Sequence, residues 1–310
     1  MLSREEDLQL REEIFAWLRA RKLHKPLFSR QDLASFEFQG RTVRLIGPQT
    51  GIWWLKGLSN AAVGIWSAYV PEGRERPYED SFGDDGFMRY KWRGSDPQTA
   101  DNRALRSAME NGLPLVLYQG IAYEPGTMTQ VAEAIFPVYL IGEEPQFQQF
   151  VVAMESTQHL VSPTEPTAVL EIARSYNERI TKVRYHQPLF RARVLNAYEQ
   201  RCAVCRLPFT ELLEAAHIKP DSEGGPARVS NGLSMCKIHH GAYDANILGI
   251  SPEYQIEIKE SVLATFDGPT LQHSLKEMHG ETLRQVPSER AQRPDRDFLA
   301  ERFERFRQAS

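Results

Sequence analysis

Two short knuckles constrain this chain more than any other feature: Cys202-Ala203-Val204-Cys205 and Cys236-Lys237-Ile238-His239. Between them they use all 3 cysteines of the sequence. An odd cysteine count with two in a C-x-x-C argues against a secreted disulfide framework and for a metal held in a reducing compartment. Three thiolates and an imidazole make a tetrahedral zinc set, against the alternative of three small buried hydrophobes. The adjacent His240 competes for the fourth position. Spacing alone does not separate the two histidines, and the match to the first knuckle favours His239.

The rest of the composition bounds the problem. A length of 310 residues suits two domains, each burying its own core. With 41% hydrophobic and 25% charged residues the chain reads as soluble and globular, and it lacks the roughly eighteen-residue apolar run of a membrane span. The opening "MLSREEDLQLREEIFAWL" is charged from its fourth residue, unlike a secretory leader, so the expected location is the cytoplasm. A net charge of −4 gives no global reason to expect a polyanionic partner. Locally the balance differs: between Lys182 and Arg206 six basic residues (Lys182, Arg184, Arg191, Arg193, Arg201, Arg206) face one acid, Glu199.

Periodicity divides the chain. Ser3 followed by Glu6 is a capping box, and Leu10, Ile14, Trp17 and Leu18 recur at helical spacing, which predicts a first helix ending near Lys25-Pro26. From Phe36 to about Met154 the runs are short, β-rich and punctuated by Gly and Pro, with one helix in "NRALRSAMENG" closed by Gly112. This predicts a partly closed barrel with flanking helices. "STQHLVSPTEPTA" is the best linker, with a boundary near residue 163. Two helices follow, in "AVLEIARSYNERITKVRY" and "QPLFRARVLNAYEQ", and "PDRDFLAERFERFRQ" closes the chain as an amphipathic helix docked on the protein. The expected organisation is a helix over 1–26, a reader domain over 27–160, a linker and helix over 161–183, a nuclease domain over 184–282 and a C-terminal helix over 283–310. The fold class is α+β.

"EAAHIKP", "NGLSMC" and "HHGAYD" lie within and just beyond the loop that the two knuckles close. Over roughly residues 184 to 260 the chain resembles the HNH endonucleases, whose ββα-metal core carries a His in a hairpin, an Asn, and a His on the next helix. The match falls on His217, Asn231 and His240. A neutral imidazole at His217 suits the base that activates water. The resemblance implies that Asn231 orients that imidazole or the hairpin loop. His240 and Asp244, four apart on a predicted helix, share a face and can hold one divalent ion, Mg²⁺ or Mn²⁺; Asp244 as a helix-solubilising residue is the alternative. Many members place Asp or His directly before the catalytic His, where this chain has Ala216; Glu214 can reach in instead or remain a surface carboxylate. Arg184, Arg191 and Arg193 are the expected phosphate contacts, with a solvated basic face as the alternative.

"RPYEDSFGDDGFMRYKWRGSDPQTADNRALRSAMENGLPLVLYQGI" places aromatic residues and acids close together. Over about residues 40 to 152 it resembles the SRA (YDG) domain, a PUA-like barrel that flips a modified cytosine out of DNA. The correspondence lies in "YED" at Tyr78 to Asp80, Tyr90, the helix start at Asp101, and "GLPLVLY". Ser81 replaces a second acid of the family, and Tyr90-Lys91-Trp92 replaces its "YTG". The implied base pocket is Tyr78, Asp80, Ser81, Tyr90 and Trp92. Tyr78 and Tyr90 would stack on the flipped base, while Asp80, Asp84 or Asp85 would accept from a cytosine amine. Arg89, Lys91 and Arg93 would meet flanking phosphates. A partly buried aromatic core with a solvated acidic turn is the alternative.

Together these readings describe a modification-dependent endonuclease acting on double-stranded DNA that carries 5-methyl- or 5-hydroxymethylcytosine, of the kind that restricts foreign DNA in bacteria. Structural Zn²⁺ would sit on Cys202, Cys205, Cys236 and His239, and the catalytic ion on His240 and Asp244. Cutting both strands with one site per chain would most simply need a homodimer. Two other readings stand beside it: a non-cleaving sensor or regulator of modified DNA, and a nicking or repair nuclease that shares the active site but not the substrate.

Overall fold

The computed structural model describes residues 1–71, 81–158, 160, 167–266 and 268–309. It divides into two compact units, Met1–Leu189 and Phe190–Ser310. No helix among the described residues is long and apolar enough to cross a membrane.

The first unit opens with α1 (Arg4–Lys22), whose N-terminus carries the predicted capping box: the Ser3 N–H donates to Glu6 Oε2 at 2.7 Å and the Glu6 N–H donates to Ser3 Oγ at 3.3 Å. Its buried stripe of Leu10, Ile14 and Leu18 packs with Phe28, Leu33, Val116 and Tyr118. One charged pair enters this core. Arg11 donates to Asp7 at 2.7 Å and to the carbonyl of Ala62 at 2.8 Å, so the guanidinium links the helix to the sheet.

The strands are β1 (Phe28–Ser29), β2 (Phe36–Phe38), β3 (Arg41–Val43), β4 (Ile52–Trp54), β5 (Ala62–Ser67), β6 (Ser81–Phe82) and β7 (Met88–Lys91). After α2 (Ala100–Glu110) come β8 (Leu115–Tyr123), β9 (Gln130–Glu144) and β10 (Gln149–Ala153). They form a sheet of order β4-β5-β8-β9-β10-β7-β6, with β1 on β9 and β2–β3 as a separate hairpin. All its pairs are antiparallel except β5 with β8, the crossover that α2 makes possible. Gly112 follows α2 at φ +58, as a helix stop requires. The predicted β-rich region is therefore a mixed α+β unit around a curled sheet.

α3 (Thr167–Thr181) and α4 (Gln187–Ala197) are the two helices expected after the linker, joined by a single wide turn at Lys182–His186. The units part between Leu189 and Phe190, later than the boundary expected near residue 163, because Phe190, Val194, Leu195 and Tyr198 belong to the second core. Of the expected linker, residues 159 and 161–166 lie outside the described residues.

The second unit is a hairpin, β11 (Leu213–His217) with β12 (Gly232–Cys236), followed directly by α5 (Lys237–Asp244). A second hairpin, β13 (Leu248–Ile250) with β14 (Ile256–Ile258), and the short helices α6 (Glu260–Ala264) and α7 (Pro269–Ser274) complete its body. α8 (Arg296–Gln308) starts on the Asp295 cap and buries Leu299, Phe303 and Phe306. A Cβ at Gly249 would lie 2.4 Å from the Phe306 ring, so glycine on β13 is what lets this helix dock.

Candidate active site and metal centre

The two knuckles meet. One ligand atom from each of Cys202, Cys205, Cys236 and His239 lies within 4.8 Å of all the others. The first knuckle is closed by the Arg206 N–H donating to the Cys202 carbonyl at 2.9 Å, and the second is tied to it by the Cys236 N–H on Cys202 Sγ at 3.3 Å. His239 is 1% exposed; its Nδ1 is 3.1 Å from Cys236 Sγ and 3.5 Å from Cys202 Sγ, while Nε2 meets the Ser274 carbonyl at 2.7 Å. That carbonyl accepts an Nε2–H and so leaves the Nδ1 lone pair facing the sulfurs, the arrangement in which a ligating histidine is held from behind. Burial opposes a charged imidazole, but hydrogen bonds to Cys202 and Cys236 override it and push His239 up to about 10. Hydrogen bonds with Cys202 and the other knuckle thiol drive Cys236 well below the usual thiol range and Cys205 well above it. A dication would take the place of the proton shared between the imidazole and the sulfurs. The donor set fits zinc; His239 completes it and His240 does not.

His240 points the other way. Its Nδ1 lies 2.7 Å from Glu214 Oε2 and its Nε2 lies 3.4 Å from Asp244 Oδ2. Asp244 is one helical turn further along α5, as the spacing predicts. Glu214 is on β11, two residues before Ala216 and therefore on the same strand face. Ala216 is packed into the core, and Glu214 carries the carboxylate that meets His240. With Nδ1–H donated to Glu214, the Nε2 lone pair is left beside Asp244. Two ligands of one octahedral ion with bonds near 2.1 Å stand about 3 Å apart, close to that separation.

His217 ends β11, opposite Gly232, and its ring stacks on Phe190 of α4 at 4.0 Å with planes 13° apart. Gly232 has no room for a side chain: a Cβ there would lie 2.4 Å from Val194. Asn231 is fully buried between the strands. Its Oδ1 accepts from the Lys219 N–H at 2.9 Å, and its Nδ2 donates to the carbonyls of Lys219 and Pro226, both at 3.0 Å. The Ile218 N–H donates to the Asn231 carbonyl at 3.0 Å. The amide thus clamps the loop between the strands into one shape directly after His217.

Residues 202–251 match the HNH endonuclease family. The chain therefore carries an HNH endonuclease domain, and the hairpin, Asn231 and α5 lie inside the matched span. No curated protein matches the chain. Among solved structures it is similar to the modification-dependent restriction endonuclease TagI, at 20% identity and TM-score 0.28 over 82% of this chain and 84% of that one. It is also similar to the Type IV phosphorothioation-dependent restriction endonuclease ScoMcrA, at 16% identity and TM-score 0.22 over 70% of this chain and 54% of that one.

Two of the arginines expected to meet phosphates make contacts within the protein. Arg191 donates to the carbonyls of Thr210 at 2.7 Å and Leu213 at 2.9 Å, bracing the entry to β11. Arg184, in the first unit, pairs with Glu155 at 3.0 Å. Arg193 is partly exposed on α4.

In the first unit, Tyr90 and Trp92 line a cavity of about 330 Å³. Tyr78 and Asp80 lie outside the described residues, and Ser81 begins β6. Among the lining residues not anticipated from sequence are Trp66 on β5 and Arg30, whose guanidinium lies 4.3 Å from the Trp66 ring centroid. The Tyr90 hydroxyl donates to the Gly51 carbonyl at 3.0 Å, which fixes its ring at the wall. Lys91 and Arg93 stand at the same cavity. Arg89 is not among the lining residues: it holds Asp85 at 2.8 Å and Glu144 at 2.9 Å. Asp84 is exposed.

Proposed function

We propose that this chain is a modification-dependent DNA endonuclease that admits a flipped, modified cytosine to the Trp66–Tyr90–Trp92 cavity and hydrolyses a nearby phosphodiester at His217. The observation that carries the reading is the hairpin and helix in which His217, the Asn231-clamped loop and the Glu214–His240–Asp244 set lie within one HNH-matched span. His217 takes the proton of the attacking water. Phe190 holds its ring flat, and the Asn231 clamp fixes the chain beyond it. Glu214 accepts the Nδ1–H of His240 and fixes the tautomer that directs Nε2 outward. A divalent ion bound by His240 and Asp244 would neutralise charge on the scissile phosphate and its leaving oxygen.

In the first unit, a cavity of about 330 Å³ has the size of a small-ligand site, and indole and phenol faces restore the stacking that an extruded base loses. Lys91 and Arg93, among its lining residues, suit the neighbouring phosphates, Lys91 from its bond to Gln149 at 2.6 Å and Arg93 from its ion pair with Asp101. The test is cleavage by the full chain of matched duplexes with unmodified, 5-methyl or 5-hydroxymethyl cytosine, in Mg²⁺ or Mn²⁺. Preferential cutting of a modified duplex is expected, and equal cutting of all three rules out the reader role. His217→Ala is expected to slow cleavage by about 10² to 10⁴ with zinc retained; an unchanged rate removes His217 from the mechanism.

A further inference from the structure

A second basic feature of the nuclease unit lies outside the hairpin and α5. Arg228, Arg290, Arg293 and Arg296 line an open cavity of about 550 Å³, together with Tyr254 and Asp295. All four arginines are exposed. Asp295 is the one carboxylate among the lining residues, and it is engaged: Oδ2 takes Arg228 at 2.9 Å, and Oδ1 caps α8 by accepting from the Asp297 and Phe298 N–H groups. Four positive charges thus face one negative charge. Such a cluster repels itself and is relieved when an anion enters.

Two of the side chains are held against aromatic rings and a third by a backbone carbonyl, Arg293 Nε donating to that of Pro287 at 3.1 Å. The Arg228 guanidinium lies 5.3 Å from the Phe298 ring centroid, and that of Arg296 lies 5.6 Å from the Tyr254 ring centroid. Tyr254 is itself fixed by its hydroxyl on the Pro294 carbonyl at 3.0 Å. The cavity is also coupled to the active-site loop. The Asp295 N–H donates to the Ser230 carbonyl at 2.8 Å, and the Asn231 N–H donates to the Arg228 carbonyl at 3.0 Å. One side of the cavity is therefore the same clamped loop that leads back to His217.

We propose that this cavity is a cradle for phosphates of the duplex DNA backbone, flanking the nuclease site. Guanidinium forks match phosphodiester oxygens in pairs, and a cavity this open suits a continuous strand. It rests on the nuclease reading for its choice of DNA as the partner. It is independent of base identity, because phosphate contacts carry affinity and not sequence.

The test is binding of the full chain, zinc-loaded and with Ca²⁺ in place of Mg²⁺, to a modified and an unmodified duplex over a series of NaCl concentrations. For Arg290→Gln/Arg293→Gln, the slope of log affinity against log salt is expected to flatten by about 0.9 for each lost phosphate contact, equally on both duplexes. Arg290→Lys/Arg293→Lys is expected to recover most of the slope. Zinc content and Tm report whether either variant is folded; should the Gln pair fail to fold, Arg290→Gln alone carries the test. An unchanged slope overturns the cradle even when the protein cuts DNA. A flattened slope supports it even when no cleavage occurs, which separates this proposal from the nuclease reading. Loss of slope on duplex RNA but not on DNA overturns the choice of partner.

Discussion

His239 and His240 are neighbours on one helix and end in opposite chemical surroundings. A helix turns about 100° per residue, so adjacent side chains leave on different faces. His239 turns inward to three sulfurs and a backbone carbonyl; His240 turns to two carboxylates and is partly exposed. Soft thiolates in a buried, closed set make a structural zinc site, whereas a half-open set of imidazole and carboxylate leaves room for water and substrate around a harder ion. Two adjacent residues of one type thus divide between a buried sulfur set and a half-open carboxylate set, and burial and partner chemistry make the division.

The comparison is broken most severely at the buried end. Cys202→Ser removes a ligand that also accepts the Cys236 N–H, and the second unit is expected to lose its ion and cooperative unfolding. Sites of this type contribute on the order of 10 kcal/mol in zinc-finger peptides, so the variant should show no zinc by metal analysis and no thermal transition for this unit. The open end responds more mildly. Glu214→Gln keeps a hydrogen-bond acceptor but loses the charge behind His240; Mn²⁺ affinity, read by titration, is expected to fall about 10- to 100-fold with zinc and Tm unchanged. Equal Mn²⁺ affinity in the variant would show that Glu214 does not position His240. The smallest effect is expected from Phe190→Leu, which removes the ring stacked on His217 while filling most of its volume. A contribution of about 0.5 to 1.5 kcal/mol predicts a rate loss of up to about tenfold with unaltered metal binding.

Local rules were readable wherever they were self-contained. The Ser3 capping box, the Gly112 helix stop, the amphipathic face of the last helix and the four-residue step from His240 to Asp244 follow from spacing, because each depends on residues within a turn or two of one another. The convergence of the Cys3His set was legible for the same reason, since repeated short knuckles leave few ways to arrange their side chains. Glu214 was the nearest miss. Its neighbourhood to Ala216 left it open between reaching into the site and remaining a surface carboxylate, and only the pairing of β11 with β12 and α5 set it against His240. Trp66 and Arg30 had no such signal, for they reach the first unit's cavity from strands and loops far apart in the chain. Nor did spacing show that Arg89 and Arg191 were already engaged, because their partners are a carboxylate at position 144 and carbonyls at 210 and 213.

What the sequence by itself determined was the inventory of reactive groups and their local order: a knuckle, a hairpin histidine, an asparagine and a second knuckle running into a helix. The tertiary structure decided which of those groups face each other. It turned His239 and His240 apart, brought Glu214 across to one of them, clamped the loop with Asn231, and gathered four arginines from two distant segments around one cavity. Spacing along a chain specifies direction only within a helix or strand; between elements, direction is set by packing, and packing is a property of the whole core.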